Sequence, residues 1–315
     1  EQKPFEYTGL DCFGPITVVW HNRERKIWIL IFACTLTRYI HLEILDSMTS
    51  LQIIRSIVKF WTFYGPVKTF VSDNGTNFVG AAKFYEKHKS QEWNDTIDNV
   101  AKYAPNINQI RSITWQFIPC HSPWIGGFYE RLIKEVKRAM TFALNTRKIS
   151  KDELEIALCD AANRINNRPL THNPLDSEVD SILTPHMLAK GKAGFPYAPG
   201  LIDPKFSNGR NDKSTVANGR KLGELIMKKF SEYYLDVLTK RVKWLSDKSP
   251  LKIGDLVLLI EPNSTRNEWK RGRVIKIKRG KDRKPRVMDI ELADGTIKKN
   301  RSSNRLAKLT INTTI

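Results

Sequence analysis

The sequence predicts an α/β domain followed by a small all-β domain, and three observations lead there. Short β-branched runs alternate with amphipathic helical stretches across residues 1–171. Pro and Gly then recur over residues 172–219, the composition of a linker with little internal order. After a second amphipathic helix, the last stretch returns to short strands separated by turn residues. Hydrophobic residues make up 41% of the 315, enough to bury a core and too many for a disordered tail.

The elements follow in order. Ile16–Trp20, Ile27–Cys34 and Tyr39–Ile44 read as three strands joined by polar turns. A helix is expected from Ser50 to Tyr64, opened by Thr49 or Ser50, with an apolar stripe of Leu51, Ile54, Val58 and Trp61, and ended by Gly65-Pro66. Val67–Val71 is a fourth strand, Asn77–Lys89 a helix, and the polar stretch from Ser90 to Arg111 an insertion. Trp115–Ile118 gives a fifth strand, and helices follow over Trp124–Leu144 and Lys151–Asn166. The connecting helix is expected over Arg220–Leu245, within a connecting segment at 220–248, and the all-β domain with its tail occupies 249–315. Its strands are Asp255–Ile260, Arg273–Ile277, Val287–Leu292 and Thr296–Lys298, with a turn at Asp294-Gly295. There is no internal repeat.

Composition narrows the function. Lys and Arg number 52 against 33 Asp and Glu, a net charge of +19, which points to a polyanionic partner. No apolar run approaches the ~20 residues of a membrane-spanning helix, and no membrane partner is expected. No signal peptide opens the chain, and the lack of an initiator Met fits a piece of a longer precursor. Cys12, Cys34, Cys120 and Cys159 have no CxxC spacing, so reduced thiols in an intracellular protein are expected, with Cys34 and Cys159 in the core.

Three acids stand out. Asp11 lies in Gly9-Leu10-Asp11-Cys12-Phe13-Gly14-Pro15, Asp73 in Ser72-Asp73-Asn74-Gly75-Thr76-Asn77-Phe78, and Glu130 in Gly126-Gly127-Phe128-Tyr129-Glu130-Arg131-Leu132. Each alone is commonplace: a solvated strand end, a turn, and an acid complementing a helix dipole. The helix around Glu130 is more telling. Phe128, Leu132, Ile133, Val136, Met140 and Leu144 form one apolar stripe, while Glu130, Lys134, Lys137 and Thr141 share the opposite face. One face packs, and the other offers a carboxylate beside two ammonium groups.

Taken together, these motifs resemble the D,D,E core of retroviral and LTR-retrotransposon integrases. Within that family the chain is most similar to the BEL/Pao group, through Thr35-Leu36-Thr37-Arg38-Tyr39-Ile40-His41-Leu42-Glu43, His121-Ser122-Pro123-Trp124-Ile125-Gly126-Gly127-Phe128-Tyr129-Glu130 and Lys252-Ile253-Gly254-Asp255-Leu256-Val257-Leu258-Leu259. The resemblance runs from Tyr7 to Leu309. It departs from retroviral enzymes in one respect: 56 residues separate Asp73 from Glu130, a longer spacing, with the extra length before Trp115. The resemblance implies a ribonuclease H-like catalytic core, a mixed five-stranded sheet with helices, followed by a small SH3-type barrel. It also implies that Asp11, Asp73 and Glu130 are catalytic and hold two Mg²⁺ (or Mn²⁺) ions per site. Three carboxylates suit such ions, because two hard cations ~4 Å apart can activate a nucleophile and stabilise a leaving oxygen.

The implied partners are element-end (LTR) DNA, target DNA and further copies of the chain, at least a dimer and up to a tetramer or larger. The implied location is the nucleus when active and a cytoplasmic particle before entry. In the resemblance, Lys134 and Lys137 grip the DNA end. Arg131 and Arg138 lie at the edge of the same face, and Asn74 and Asn77 flank the second Asp where they can orient DNA. Arg266–Leu309 carries 16 Lys and Arg against 5 Asp and Glu, a net +11. Within it Lys276, Lys278, Arg279, Lys281, Arg283, Lys284 and Arg286 form the best phosphate patch. Two rival readings share these features: an idle, domesticated DNA-binding derivative and a ribonuclease H-like nuclease.

Overall fold

The computed structural model describes residues 3–87, 113–118, 127–144, 148–172, 182–192, 194, 210–239, 251–259, 270–279 and 285–309. The expected insertion over Ser90–Arg111, the start of the long helix at Trp124, Cys120, and Lys281, Arg283 and Lys284 lie outside the described residues. The chain divides into two compact units. One joins Glu1–Asn166 with Pro199–Ile226, and the other joins Asn167–Ala198 with Met227–Ile315.

The first unit is built on a five-stranded sheet in the order β3-β2-β1-β4-β5. Its strands are β1 (Tyr7–Trp20), β2 (Arg23–Cys34), β3 (Ile40–Leu45), β4 (Thr69–Ser72) and β5 (Thr114–Phe117). The first three pair antiparallel, whereas β1–β4 and β4–β5 pair parallel, so the sheet is mixed. β1 is longer than the sequence suggested. Its first half, containing Asp11, is interrupted by a register shift between Phe13 and Ile16, and that break hid the pairing of Thr8 to Phe13 with β2.

Alternation along β2 sets the two faces of the sheet. Leu30, Phe32 and Cys34 join a cluster with helix α1 (Ser50–Tyr64) and helix α2 (Thr76–Lys87). Ile29, Ile31 and Ala33, equally buried, point to the opposite face. That face receives α3 (Gly127–Leu144), which packs on β1 and β2, and α4 (Lys151–Asn166), which packs on β3 and β1. At the end of α4, the Asn166 side chain accepts from the Ile40 amide and donates to the Ile40 carbonyl, both at 2.8 Å.

Thr49 caps α1 by accepting from the Gln52 amide, and Gly65, at φ 80°, closes it. Thr49→Ala is expected to cost about 1 kcal/mol, read as a lower urea midpoint at unchanged slope. The buried face of α1 differs from the expected stripe. Ile53, Ile57 and Phe60 are buried, while Leu51 and Val58 are 57% and 50% exposed. The helix is apolar on two adjoining faces, and the face that wins carries Phe60, whose ring stacks on Phe32 at 4.2 Å. Cys159 is a second correction. It is exposed, because the buried stripe of α4 runs through Leu154, Ala157, Leu158 and Ala161 and leaves Cys159 off it.

The stretch expected to be a linker contains regular structure among its described residues. Strands β6 (Thr171–His172) and β7 (Ile182–Leu183) pair, and α5 (Pro185–Lys190) starts with Thr184 as cap and Pro185 in the first turn. Helix α6 spans Arg210–Thr239, beginning ten residues before the expected start at Arg220. Asn218-Gly219, at the end of the stretch expected to be a linker, lies inside it. A Cβ at Gly219 would meet the Glu153 carbonyl and Ile156 at 2.8 Å, and one at Gly223 would meet Asp160 at 2.6 Å. These glycines let α6 lie against α4. Gly219→Leu is therefore expected to destabilise the protein by roughly 1–3 kcal/mol through overpacking, measurable as a lower Tm.

The second unit carries an all-antiparallel five-stranded sheet in the order β11-β10-β9-β8-β12. Its strands are β8 (Leu256–Leu259), β9 (Arg271–Arg279), β10 (Pro285–Leu292), β11 (Ile297–Ser302) and β12 (Leu306–Lys308). Leu251, Val257, Leu259, Val274, Met288, Ile290 and Leu306 form its core. The Asp294-Gly295 turn joins β10 to β11, with Gly295 at φ 78°. β12 escaped the sequence reading because three residues are too few to show a period.

Candidate active site

Asp11 sits inside β1, opposite Ile31 of β2, rather than at a strand end. Its neighbours Leu10 and Cys12 belong to the α1–α2 side, so alternation turns Asp11 to the face covered by α3. There Lys137 of α3 meets it, with Nζ 2.5 Å from Oδ2. The other carboxylate oxygen, Oδ1, accepts from the Cys12 amide at 2.7 Å. Burial pushes the Asp11 carboxyl above its ordinary value. Lys137 opposes that shift, and the charge of Asp73 adds to it.

Glu130 lies in the first turn of α3, half-buried. Its carboxyl is also raised, first by burial and then by the charge of Asp11. The expected two-faced helix is present. Leu132, Ile133, Val136, Met140 and Leu144 are buried with Ala139 and Ala143, while Lys134 and Thr141 are exposed and Lys137 is half-buried. The side chain of Phe128 lies outside the described residues.

Asp73 follows β4, the strand parallel to β1, and is exposed in the loop before α2. The loop is tightly specified. The Gly75 amide donates to Asp73 Oδ1 at 3.0 Å, and Ser72 Oγ donates to the Asp73 carbonyl at 2.8 Å. Trp115 Nε1 of β5 in turn donates to Ser72 Oγ at 2.9 Å. Asp11 thus feels the charge of Asp73, and Glu130 in turn feels that of Asp11.

The flanking amides are more structural than the sequence suggested. Asn74 Nδ2 donates to the Ile118 carbonyl at 3.3 Å, tying the loop to the end of β5. Asn77 is buried, and its Nδ2 approaches Cys12 Sγ at 3.9 Å, so it links the Asp73 loop to β1 rather than facing outward. Cys12, Ser72 and Trp115 are the residues sequence reasoning missed. Burial, with Asp11 next in weight, pushes the Cys12 thiol up to about 12. The signal that could have found Trp115 and Ser72 is the parallel pairing of β4 with β5, which brings the two strands side by side.

Of the other basic candidates, Arg131 is exposed on α3, and Arg138 pairs with the buried Glu135 at 3.1 Å. Lys276 and Lys278 are exposed on β9, and Lys278 Nζ donates to Asn300 Oδ1 at 2.5 Å. Arg279 and Arg286 have their backbones in β9 and β10, with side chains outside the described residues.

Among the described residues, no three His, Cys, Asp or Glu side chains form a ready-made metal cluster. The donor chemistry nevertheless fits a hard divalent cation. The candidates Asp11, Asp73 and Glu130 offer only carboxylate oxygens, and Asp11 is raised by burial and by a neighbouring acid and drawn down by a cation at contact.

Comparison with known proteins adds the following. A family of unknown function (DUF5641) matches residues 217–309. No curated protein matches the chain. Among solved structures, the chain is similar to one described as a simian T-cell lymphotropic virus intasome in complex with the PP2A regulatory subunit B56 gamma. That match has 13% identity and a TM-score of 0.36, and it covers 98% of this chain and 80% of that one. It is also similar to the HTLV-2 integrase catalytic core domain in complex with magnesium, at 14% identity and TM-score 0.34, over 59% of this chain and 97% of that one. The BIV integrase catalytic core domain matches at 17% identity and TM-score 0.33, over 59% of this chain and 93% of that one.

Proposed function

We propose that this chain is the catalytic and C-terminal portion of a retrotransposon integrase of the BEL/Pao group. In this reading it performs metal-dependent 3′-end processing and strand transfer of element DNA into target DNA. The observation that carries it is the setting of Asp11: inward on the α3 face, in contact with Lys137, and within electrostatic reach of both Asp73 and Glu130. Support comes from Asp11 feeling the charge of Asp73 and Glu130 feeling that of Asp11.

Asp11, Asp73 and Glu130 would hold two Mg²⁺ (or Mn²⁺) ions, which supply activation of the attacking oxygen and stabilisation of the leaving one. The chain's own residues do the rest. Lys134 and Lys137 offer ammonium groups to phosphates beside Glu130, and the Trp115–Ser72–Asp73 bonds hold the second carboxylate's loop in place. In processing, water oxygen bonds to a phosphorus near the element's 3′ end and the P–O bond to the element's own 3′ oxygen breaks, so the trimmed nucleotide leaves carrying a 5′ phosphate and the element keeps a free 3′ hydroxyl. In transfer, the freed 3′ oxygen bonds to a target phosphorus and the target's own P–O bond breaks. Lys276, Lys278, Arg279 and the basic residues after them serve as backbone contacts on an SH3-type barrel. Joining two ends to one target calls for at least two copies at fixed spacing, in a nuclear complex that arrives as a cytoplasmic particle.

A strand-transfer assay with the full chain, a labelled element-end duplex and a plasmid target tests this. Joined product with Mg²⁺ or Mn²⁺ and none with chelator is expected. DNA binding without joining would favour the idle derivative, and cleavage of RNA–DNA hybrid alone would favour the nuclease.

A further inference from the structure

We propose that Lys137 competes with divalent metal for Asp11, so that metal loading is coupled to the arrival of a DNA phosphate. This rests on the reading of Asp11 as a metal ligand. The two oxygens of Asp11 are not equivalent. Oδ1 is held by the Cys12 amide, so Oδ2 is the oxygen left for an outside partner, and that is the oxygen Lys137 takes at 2.5 Å. An ammonium in contact with Oδ2 and a dication bound to the same oxygen would lie within a few ångströms of each other, and like charges at that separation repel strongly. One must leave.

Lys137 is free to be the one that leaves. Its side chain is 28% exposed, on a long flexible stem, and the exposed Lys134 precedes it on the same helix face. A phosphate at this face gives the ammonium a new anionic partner and releases Oδ2. Because coupling between two ligands is reciprocal, DNA must then tighten metal binding, and metal must tighten DNA binding, by the same factor.

The test measures Mn²⁺ binding to the full chain by the paramagnetic signal of free Mn²⁺. It is run without DNA and with a duplex, after subtracting uptake by the duplex alone. Lys137→Gln is expected to bind Mn²⁺ about fivefold more tightly than the unmodified chain without DNA, the scale of a partly exposed ion pair. Adding duplex should raise the affinity of the unmodified chain by a similar factor and that of the variant by less. Lys134→Gln removes the same charge from the same helix face and should leave the DNA-free affinity within about twofold. Equal affinity of Lys137→Gln and the unmodified chain would overturn the proposal. So would an equal gain in Lys134→Gln, which would mean net charge alone is at work. Asp11→Asn separates the two levels: if it binds Mn²⁺ as the unmodified chain does, the reading of Asp11 as a ligand has failed, and this proposal with it.

Discussion

Replacing Asp11 with asparagine is expected to lower strand transfer on the order of 1,000-fold, about 4 kcal/mol of barrier, while leaving duplex affinity within about threefold. The substitution is nearly isosteric, and an amide oxygen can still accept from the Cys12 amide where Oδ1 does now. What it removes is the negative charge that a divalent ion needs. Loss of the Lys137 contact should cost little stability, because both partners are about a third exposed and such pairs contribute up to about 1 kcal/mol. Relief of a buried carboxylate works in the opposite direction. Glu130→Gln should behave alike, since Glu130 sits in the first turn of α3, away from the buried stripe. Thermal melts alongside the assay keep folding and catalysis apart. A folded Asp11→Asn protein that still joins DNA would end the catalytic assignment.

The second large effect belongs to the basic C-terminal segment. Neutralising Lys281, Arg283, Lys284 and Arg286 together is expected to weaken duplex binding on the order of 100-fold at low salt, about equally for unrelated sequences. The slope of log affinity against log salt should flatten by roughly one unit per lost phosphate contact. The reason is visible in the neighbouring strands. Lys276 and Lys278 stand exposed along β9, on a strand and not on a helix shaped for a groove. Filter binding or fluorescence anisotropy across a salt series reads both quantities. An unchanged slope would mean these groups are merely solvated, and a loss confined to one sequence would mean they read bases.

The sequence was most legible where periodicity and chemistry coincide. α3 shows this best: its stripe from Leu132 to Leu144 is buried as the 3.6-residue period requires, with Lys134 and Thr141 on the other side. α4 kept its expected bounds of Lys151–Asn166. Legibility failed where one segment satisfied two rules at once. α1 carries two apolar faces, and only the stacking of Phe60 on Phe32, residues far apart in sequence, decides between them. Gly219 falls in the Pro- and Gly-containing stretch expected to be a linker, yet it packs closely against Glu153 and Ile156 as a helical residue. At the site, the three acids were readable from their motifs, but the partners were not. The Asp11–Lys137 pair, the Asn77–Cys12 approach and the Trp115–Ser72 bond all join residues more than forty positions apart. No local pattern encodes such contacts.

The amide of Asn166 has a meaning beyond holding a helix to a strand. β3 is the outermost strand on its side of the sheet. Tyr39 spends its carbonyl on the Cys34 amide, toward β2, so the next residue, Ile40, turns its own amide and carbonyl outward. Such outward groups are a template on which a strand from another molecule can dock. Asn166 offers one acceptor and one donor to this pair, as a residue of an adjoining strand would. The side chain acts as a one-residue counterfeit strand that blocks foreign pairing where β3 begins. Should several copies gather around DNA as proposed, this block would keep their sheet edges from annealing to one another.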